Sequence, residues 1–280
     1  MTWHTARTFR RAEELCVTGT ESAGRRIDTS RPHPARVYDW FLGGKDNYPV
    51  DEELGRAITA QGDAPRQARA NRRFMERATR VVVREAGIRQ FLDIGSGIPT
   101  EPNLHQIAQS AVPDARIVYV DNDPIVLAHA AALLHGTPEG ATHYLQADAR
   151  EPQRILQGAS AVLDFEQPVA LSLVALLHFI SDEDGAQELV DTLVGALAPG
   201  SCLVLSALTA DFDPERVHAG IAAYTASGVT LVARSHDEVS RLFKGLEVLE
   251  PGIVSLSRWR PDAREEGDPV SLYGAVGIKR

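Results

Sequence analysis

Acidic side chains end three consecutive predicted strands of this 280-residue chain, and a glycine-rich loop follows the first of them. Asp93 lies in QFLDIGSGIPTE just before the glycines, Asp121 ends ARIVYVD, and Asp148 ends THYLQAD. Ligands of open α/β sheets bind beyond the carboxyl ends of the strands, where such residues meet. Asp is also common at these junctions as a turn former. Three in order, together with the glycine loop, nevertheless predict a single binding site.

The glycine loop indicates which ligand this site takes. Gly95 and Gly97 let the backbone approach a ligand closely. The dinucleotide fingerprint G-x-G-x-x-G is incomplete, because Thr100 occupies the third glycine position and Pro99 stiffens the loop. A carboxylate at Asp93 would repel a pyrophosphate but attract an ammonium group. These features favour S-adenosylmethionine, which has an adenosine, no phosphate and an amino-acid tail, over NAD.

The other two acids suit the nucleoside part of that ligand. A carboxylate at the position of Asp121 commonly accepts hydrogen bonds from both ribose hydroxyls. Asp148, at the end of the next strand, can accept from the exocyclic amino group of adenine.

An alternation of strands and helices must position these residues. Strands are predicted at Phe91–Ile94, Ile117–Val120 and in THYLQAD, PVALSLVALLHFI and SCLVLSAL, and continuous apolar strands are typical of a parallel sheet covered on both faces. EVLEPGIV and SLYGAVGIK are expected to form an antiparallel end. Helix starts are predicted at Asp63, an N-cap followed by Pro65, at Thr100–Pro102 and, from capping boxes, at Ser181 and Ser235. A short helix before them is expected to end at the glycines at 43–44.

Composition excludes several classes of function. The formal net charge of −9 argues against nucleic acid or an anionic membrane as a partner. The longest apolar run, 169–180, is shorter than the roughly 20 residues of a membrane-spanning helix, and the N-terminus has no apolar signal segment. Cys16 and Cys202 form no C-x-x-C pair, so no metal site is expected. We therefore expect a cytoplasmic protein.

Six stretches carry a resemblance to a known family: RPHPARVYDWFLGGKDNY, FLDIGSGIPTEPNLHQIAQ, VYVDNDPIVLAHA, LLHFI, LAPGSCLVLSALTAD and WRPD. Over residues 31–280 the chain resembles class I S-adenosylmethionine-dependent methyltransferases. More narrowly, it resembles an actinobacterial family of S-adenosyl methyltransferases long catalogued as a domain of unknown function. The resemblance implies a Rossmann-like α/β fold with a seven-stranded, mostly parallel sheet of order 3-2-1-4-5-7-6, helices on both faces, and S-adenosylmethionine as cofactor with S-adenosylhomocysteine as product.

The resemblance also implies roles for particular residues. It assigns the methionine end to Asp93, Gly95 and Gly97, the ribose to Asp121 and Asn122, the adenine edge to Asp148 and Ala149, and the sulfonium side to Leu176 through His178. It does not imply a methyl acceptor, and we expect a small molecule because no basic groove is evident.

The stretch VYDWFLGGKDNY is expected to cover the open edge of the sheet. Two glycines at 43–44 allow a turn or a hinge. Tyr38 offers an aromatic face to a sulfonium, Asn47 can bond to the amino-acid tail, and Lys45 can pair with its carboxylate. The alternative is an ordinary helix end followed by a solvated polar turn. Together these interpretations divide the chain into a flexible tail at 1–30 and one methyltransferase domain at 31–280, with a helical lid over 31–88 and a core over 89–280.

His178 is the candidate general base, because it follows the fourth strand beside the expected methyl group. The alternative is a core histidine bonded to a backbone carbonyl. Three functions therefore remain open at the level of sequence: an active methyltransferase, a module that binds S-adenosylmethionine without transferring its methyl group, and an NAD-dependent oxidoreductase.

Overall fold

The computed structural model describes residues 28–126, 129, 136–262 and 267–280, so the predicted tail lies almost wholly outside the described residues. Within them, eight strands form one sheet. Their bounds are β1 Gln90–Ile94, β2 Arg116–Asp121, β3 Ala141–Gln146, β4 Ala170–Val174, β5 Cys202–Leu208, β6 Leu246–Val248, β7 Val254–Ser255 and β8 Leu272–Lys279.

The sheet follows the path β3-β2-β1-β4-β5-β8-β6. Strands β1 to β5 are mutually parallel where they pair, and β8 runs antiparallel to both β5 and β6. The predicted order 3-2-1-4-5-7-6 describes the same path, with one difference. An additional short strand, β7, pairs with β8 off the path, so that the last strand is numbered eight rather than seven. This additional strand arises because EVLEPGIV is not continuous. It breaks around Gly252, whose φ is 88°.

Helices flank the sheet and precede it. Their bounds are α1 Pro34–Leu42, α2 Pro49–Gln61, α3 Ala64–Glu85, α4 Leu104–Ala111, α5 Pro152–Ala159, α6 Ala186–Gly195, α7 Pro214–Ala226 and α8 His236–Leu242, with 3-10 turns at Leu177–Phe179 and Leu256–Arg258. Among the described residues, no helix combines the length and apolar character needed to cross a membrane.

Alternate strand residues build separate apolar layers on the two faces of the sheet. Leu92 and Leu171 belong to one buried cluster, and their neighbours Phe91 and Ala170 belong to the other. This arrangement explains why the strands are apolar throughout. A third cluster joins α1, α2 and α3 to α7 through side chains that include Val37 and Phe41. The N-terminal helices therefore share a small core with α7.

Several helix ends follow the predicted signals and two do not. Helix α1 ends at Gly43, whose φ is 82°, and Asp63 caps α3 by accepting from Arg66 N. The capping box at Ser235 opens α8 as predicted. Helix α4 begins later than predicted, after the cap Asn103, because the loop extends beyond Thr100–Pro102.

The predicted start at Ser181 is also early. Ser181 exchanges hydrogen bonds with Asp184, but this pair closes a turn, and α6 begins only at Ala186 after Gly185. The fourth strand is likewise shorter than its apolar run, because β4 ends at Val174 and Ala175 takes a left-handed φ of 57°.

Candidate active site

A cavity of about 420 Å³ opens at the carboxyl ends of β1 to β4, beneath α1 and α3. This volume lies in the usual range for small-molecule sites, about 300–1,000 Å³. Nine of the residues proposed from the sequence line it: Tyr38, Asp93, Gly95, Gly97, Asp121, Asn122, Asp148, Ala149 and Leu176.

The loop after β1 is tied directly to Asp121. Gly97 N donates to Asp121 Oδ2 at 2.8 Å, and Asp123 N donates to Asp121 Oδ1 at 3.0 Å. Gly95 and Gly97 have φ values of 75° and 65°, which disfavour any other residue. A Cβ at Gly95 would lie 2.7 Å from the side chain of Leu176, whereas one at Gly97 would meet no atom within 4 Å. The cavity wall at Gly97 is therefore bare backbone, open to a ligand.

Asp93 and Arg72 provide opposite charges in the same cavity. Burial raises the pKa of Asp93 to about 6, and nearby Asp121 adds to this shift while the Arg72 guanidinium opposes it. Arg72 reaches from α3 to the carbonyls of Thr100 and Pro102, both at 2.6 Å, and so holds the far side of the glycine loop. The sequence does not single out Arg72, because α3 carries many arginines and their spacing does not separate this one from a solvated face.

Asp148 occupies the third strand end. Its Oδ1 accepts from Arg150 N at 2.9 Å and lies 3.4 Å from the Arg150 guanidinium. Arg150 also donates to the carbonyl of Phe179, which lies in the 3-10 turn after β4. Asp148 is thus fixed at the rim of the cavity, between the loops that follow β3 and β4.

A buried polar network joins α1 to the end of β4. Tyr38 Oη donates to the Ala68 carbonyl and accepts from Asn71 Nδ2, both at 3.0 Å. Asn71 Oδ1 accepts from Ser206 Oγ at 2.6 Å, and Ser206 Oγ accepts from Ala175 N at 2.9 Å. These bonds hold Ala175 in its left-handed conformation at the cavity wall, which Tyr38 also lines.

Comparison with known proteins decides the family. A sequence model of the S-adenosyl methyltransferase family matches residues 20–280. The chain belongs to this family. It is an S-adenosylmethionine-dependent methyltransferase, which sets aside the NAD alternative.

Two solved structures resemble the methyltransferase along most of its length. One is a DUF574 family protein from Streptomyces avermitilis MA-4680, with 48% identity and a TM-score of 0.89 over 91% of this chain and 100% of the other. The second is a candidate methyltransferase from Thermobifida fusca YX, with 38% identity and a TM-score of 0.82 over 91% and 97% of the two chains. None of the curated proteins matches the sequence.

Lys45 and Asn47 lie outside the cavity of the methyltransferase. Asn47 Nδ2 instead donates to Asp39 Oδ2 at 2.9 Å, and Asp46 N donates to the same oxygen at 2.9 Å. The Asp39 carboxylate thus organises the turn after α1, and a Cβ at Gly44 would overlap it. In this structure the polar residues after α1 form hydrogen bonds within their own turn, which corresponds to the alternative of a helix end followed by a polar turn. Lys45 is exposed to solvent.

The N-terminal helices also contact each other and the loop after β2 through charged side chains. His33 Nδ1 lies 3.0 Å from Asp123 Oδ2, just beyond β2. Its backbone N–H donates to Asp51 Oδ1, and Arg36 forms a buried ion pair with Asp51 at 3.2 Å. Helix α1 is therefore held over the cavity by α2, and its cap His33 lies against the loop after β2.

His178 does not line the first cavity but a second one of about 120 Å³. Burial, with Arg234 nearby, lowers the pKa of His178 to about 3. Its Nδ1 is buried without a hydrogen-bond partner among the described residues. Those residues contain no group of three or more His, Cys, Asp or Glu side chains that could hold a metal ion.

Proposed function

We propose that the 420 Å³ cavity is the S-adenosylmethionine site and that the enzyme methylates a small molecule. The observation that supports this most strongly is the convergence of Asp93, Asp121 and Asp148 with the bare glycine loop on one cavity. Those groups match an adenosine joined to an amino-acid tail with an ammonium group, and they lack the features of a pyrophosphate site.

The nucleoside end of the cofactor is assigned to β2 and β3. Each Asp121 oxygen already accepts one backbone N–H, and a carboxylate oxygen can accept a second hydrogen bond. The ribose hydroxyls can supply these bonds, with Asn122 beside them. Asp148 and Ala149 border the adenine edge.

The methionine end is assigned to the loop after β1. Asp93 offers a carboxylate to the ammonium group, and Arg72 offers a guanidinium to the carboxylate. Gly95 and Gly97 allow the tail to lie against the backbone. Leu176, packed against Gly95, borders the sulfonium side.

The cofactor supplies a methyl carbon bonded to a positively charged sulfur, and transfer to the acceptor leaves S-adenosylhomocysteine. The protein contributes by positioning the acceptor against the methyl group and by excluding water from the site. Positioning two reactants can be worth about 7–11 kcal/mol of the barrier. Helix α1, with Tyr38 on its inner face, covers the cavity and presents an aromatic ring toward the place where the cation would lie.

The organisation of the chain forms part of the proposal. Residues 31–88 serve as a helical lid and 89–280 as the catalytic core. A net charge of −9 favours a small-molecule acceptor over nucleic acid, and we propose a cytoplasmic setting.

Replacement of Asp121 tests this assignment. Asp121→Ala removes the acceptor for the ribose and frees the Gly97 N–H. We expect S-adenosylhomocysteine to bind at least about tenfold more weakly by calorimetry, because hydrogen bonds to a charged group contribute about 1.5–3 kcal/mol each.

Asp114→Ala is the matched control, since Asp114 precedes the amino end of β2 and pairs with Arg89 at the surface. Unchanged affinity in Asp121→Ala, with both variants folded, would overturn the assignment of the nucleoside end.

A further inference from the structure

A second cavity adjoins the first. Five residues line both cavities: Pro34, Tyr38, Asn71, Ala175 and Phe179. Methyl transfer requires the acceptor to reach the cofactor directly, so an acceptor site must open onto the cofactor cavity. The second cavity lies next to the first at these shared residues, one of which is Ala175 just after β4.

The walls of the second cavity are mainly apolar. They come from α1, α2, α3 and α7 and from the ends of β5 and β8, and include Phe41, Ile58, Val217, Tyr224, Leu231 and Leu272. An apolar wall favours an apolar occupant, at about 25 cal/mol per Å² of surface removed from water.

The volume limits the size of that occupant. About 120 Å³ is slightly less than the roughly 150 Å³ of an apolar cavity known to hold benzene. A group of about the size of one aromatic ring suits this volume.

One polar group in this apolar surround lacks a partner. His178 is 8% exposed, lines the second cavity, and has an Nδ1 without a hydrogen-bond partner among the described residues. Nδ1 itself exposes almost no surface, so the imidazole ring must turn for a ligand in the cavity to reach it. A buried polar atom left unpaired costs about 1–3 kcal/mol, so a ligand that pairs with it gains affinity. Because its pKa of about 3 keeps the ring neutral at pH 7, Nδ1 either donates or accepts. A hydroxyl group can satisfy both possibilities.

We infer that the second cavity receives a single apolar ring of the methyl acceptor, carrying a hydroxyl group that bonds to His178 Nδ1, while the reacting atom lies at the junction with the first cavity. This inference rests on the proposed function. It gives His178 a role in recognising the acceptor rather than in removing a proton.

Two small fluorinated probes test the inference. Fluorobenzene and 4-fluorophenol differ by one hydroxyl, and ¹⁹F NMR measures the binding of each to the protein saturated with S-adenosylhomocysteine. We expect both to bind, with 4-fluorophenol tighter by roughly threefold to tenfold, the effect of one net hydrogen bond. Failure of both probes to bind the parent protein would overturn the inference.

Two variants separate the apolar and polar parts. Gly220 lies in α7 on the cavity wall, and a Cβ there would meet no atom within 4 Å. Gly220→Leu should fill the cavity and weaken both probes by about tenfold or more. His178→Phe keeps a ring but removes Nδ1, so it should abolish only the advantage of 4-fluorophenol.

Gly195→Leu is the matched control, because Gly195 ends α6, also has no neighbour around its Cβ, and lines neither cavity. Probe binding that survives in Gly220→Leu, or a hydroxyl advantage that survives in His178→Phe, would overturn the inference. Affinity for S-adenosylhomocysteine should be the same in all four proteins. If the parent does not bind S-adenosylhomocysteine at all, the proposed function fails together with the inference.

Discussion

Asp93 combines a carboxyl group with an environment that solvates it poorly. Its folded-state pKa of about 6 lies above the ordinary value of about 3.9. The group therefore favours folding below about pH 4, and this contribution is lost as the pH rises through 6. At neutral pH the free enzyme holds a poorly solvated carboxylate, and a cationic ligand beside it would relieve that cost.

This pKa predicts a pH dependence of cofactor binding. Below about pH 6 Asp93 takes up a proton and loses its attraction for the ammonium group, so the affinity for S-adenosylhomocysteine should fall, by up to tenfold per pH unit. Calorimetry between pH 5 and 8 measures this change, and proton release on binding near pH 6 should accompany it. Asp93→Asn should bind more weakly at pH 8 and lose the part of the pH dependence that Asp93 causes. An unaltered pH profile in that variant would show that Asp93 does not face the ammonium group.

Local elements were largely predictable because their signals are local. The apolar runs of β1 and β2, the glycine end of α1 and the cap of α3 each depend on residues within a few positions of one another. The joint between β4 and α3 depends on Ser206 and Asn71, which are 135 residues apart in sequence. No spacing pattern reports such a contact, and for the same reason Arg72 did not stand out among its neighbours.

The hydrogen bonds of Ser206 to Asn71 and Ala175 predict an effect on stability. Ser206→Ala would leave two polar groups without a partner, the buried Asn71 Oδ1 and the partly buried Ala175 N. We expect the free energy of unfolding to fall by about 2–4 kcal/mol, measured by chemical denaturation, and cofactor affinity to fall because both residues line the cavity.

Thr79→Val is a control for the loss of a buried hydroxyl. Thr79 Oγ1 contacts Met75 Sδ at 3.6 Å, a weak acceptor, so this change should cost less than about 1 kcal/mol. Equal effects of the two substitutions would mean that the network does not stabilise the strand end.

Over the whole molecule, the family resemblance implied the path of the sheet, and that order of strands brings the carboxyl ends of β1 to β4 together with most of the nine lining residues. Lys45, Asn47 and His178 depart from the expected places. The first two lie in the loop after α1, which forms hydrogen bonds to the Asp39 carboxylate. A run of polar residues does not by itself indicate which carboxylate it will bind. His178 follows β4 by a 3-10 turn rather than a continued strand, which directs it to the second cavity.

The central claim is that the strand-end carboxylates and the glycine loop form one cofactor site. A crystal structure of the protein with S-adenosylhomocysteine tests this most directly. We predict electron density for the ligand in the 420 Å³ cavity, with both ribose hydroxyls within about 3.0 Å of the Asp121 carboxylate and the amino group beside Asp93. Density for the ligand at another place, or a ribose turned away from Asp121, would contradict the account.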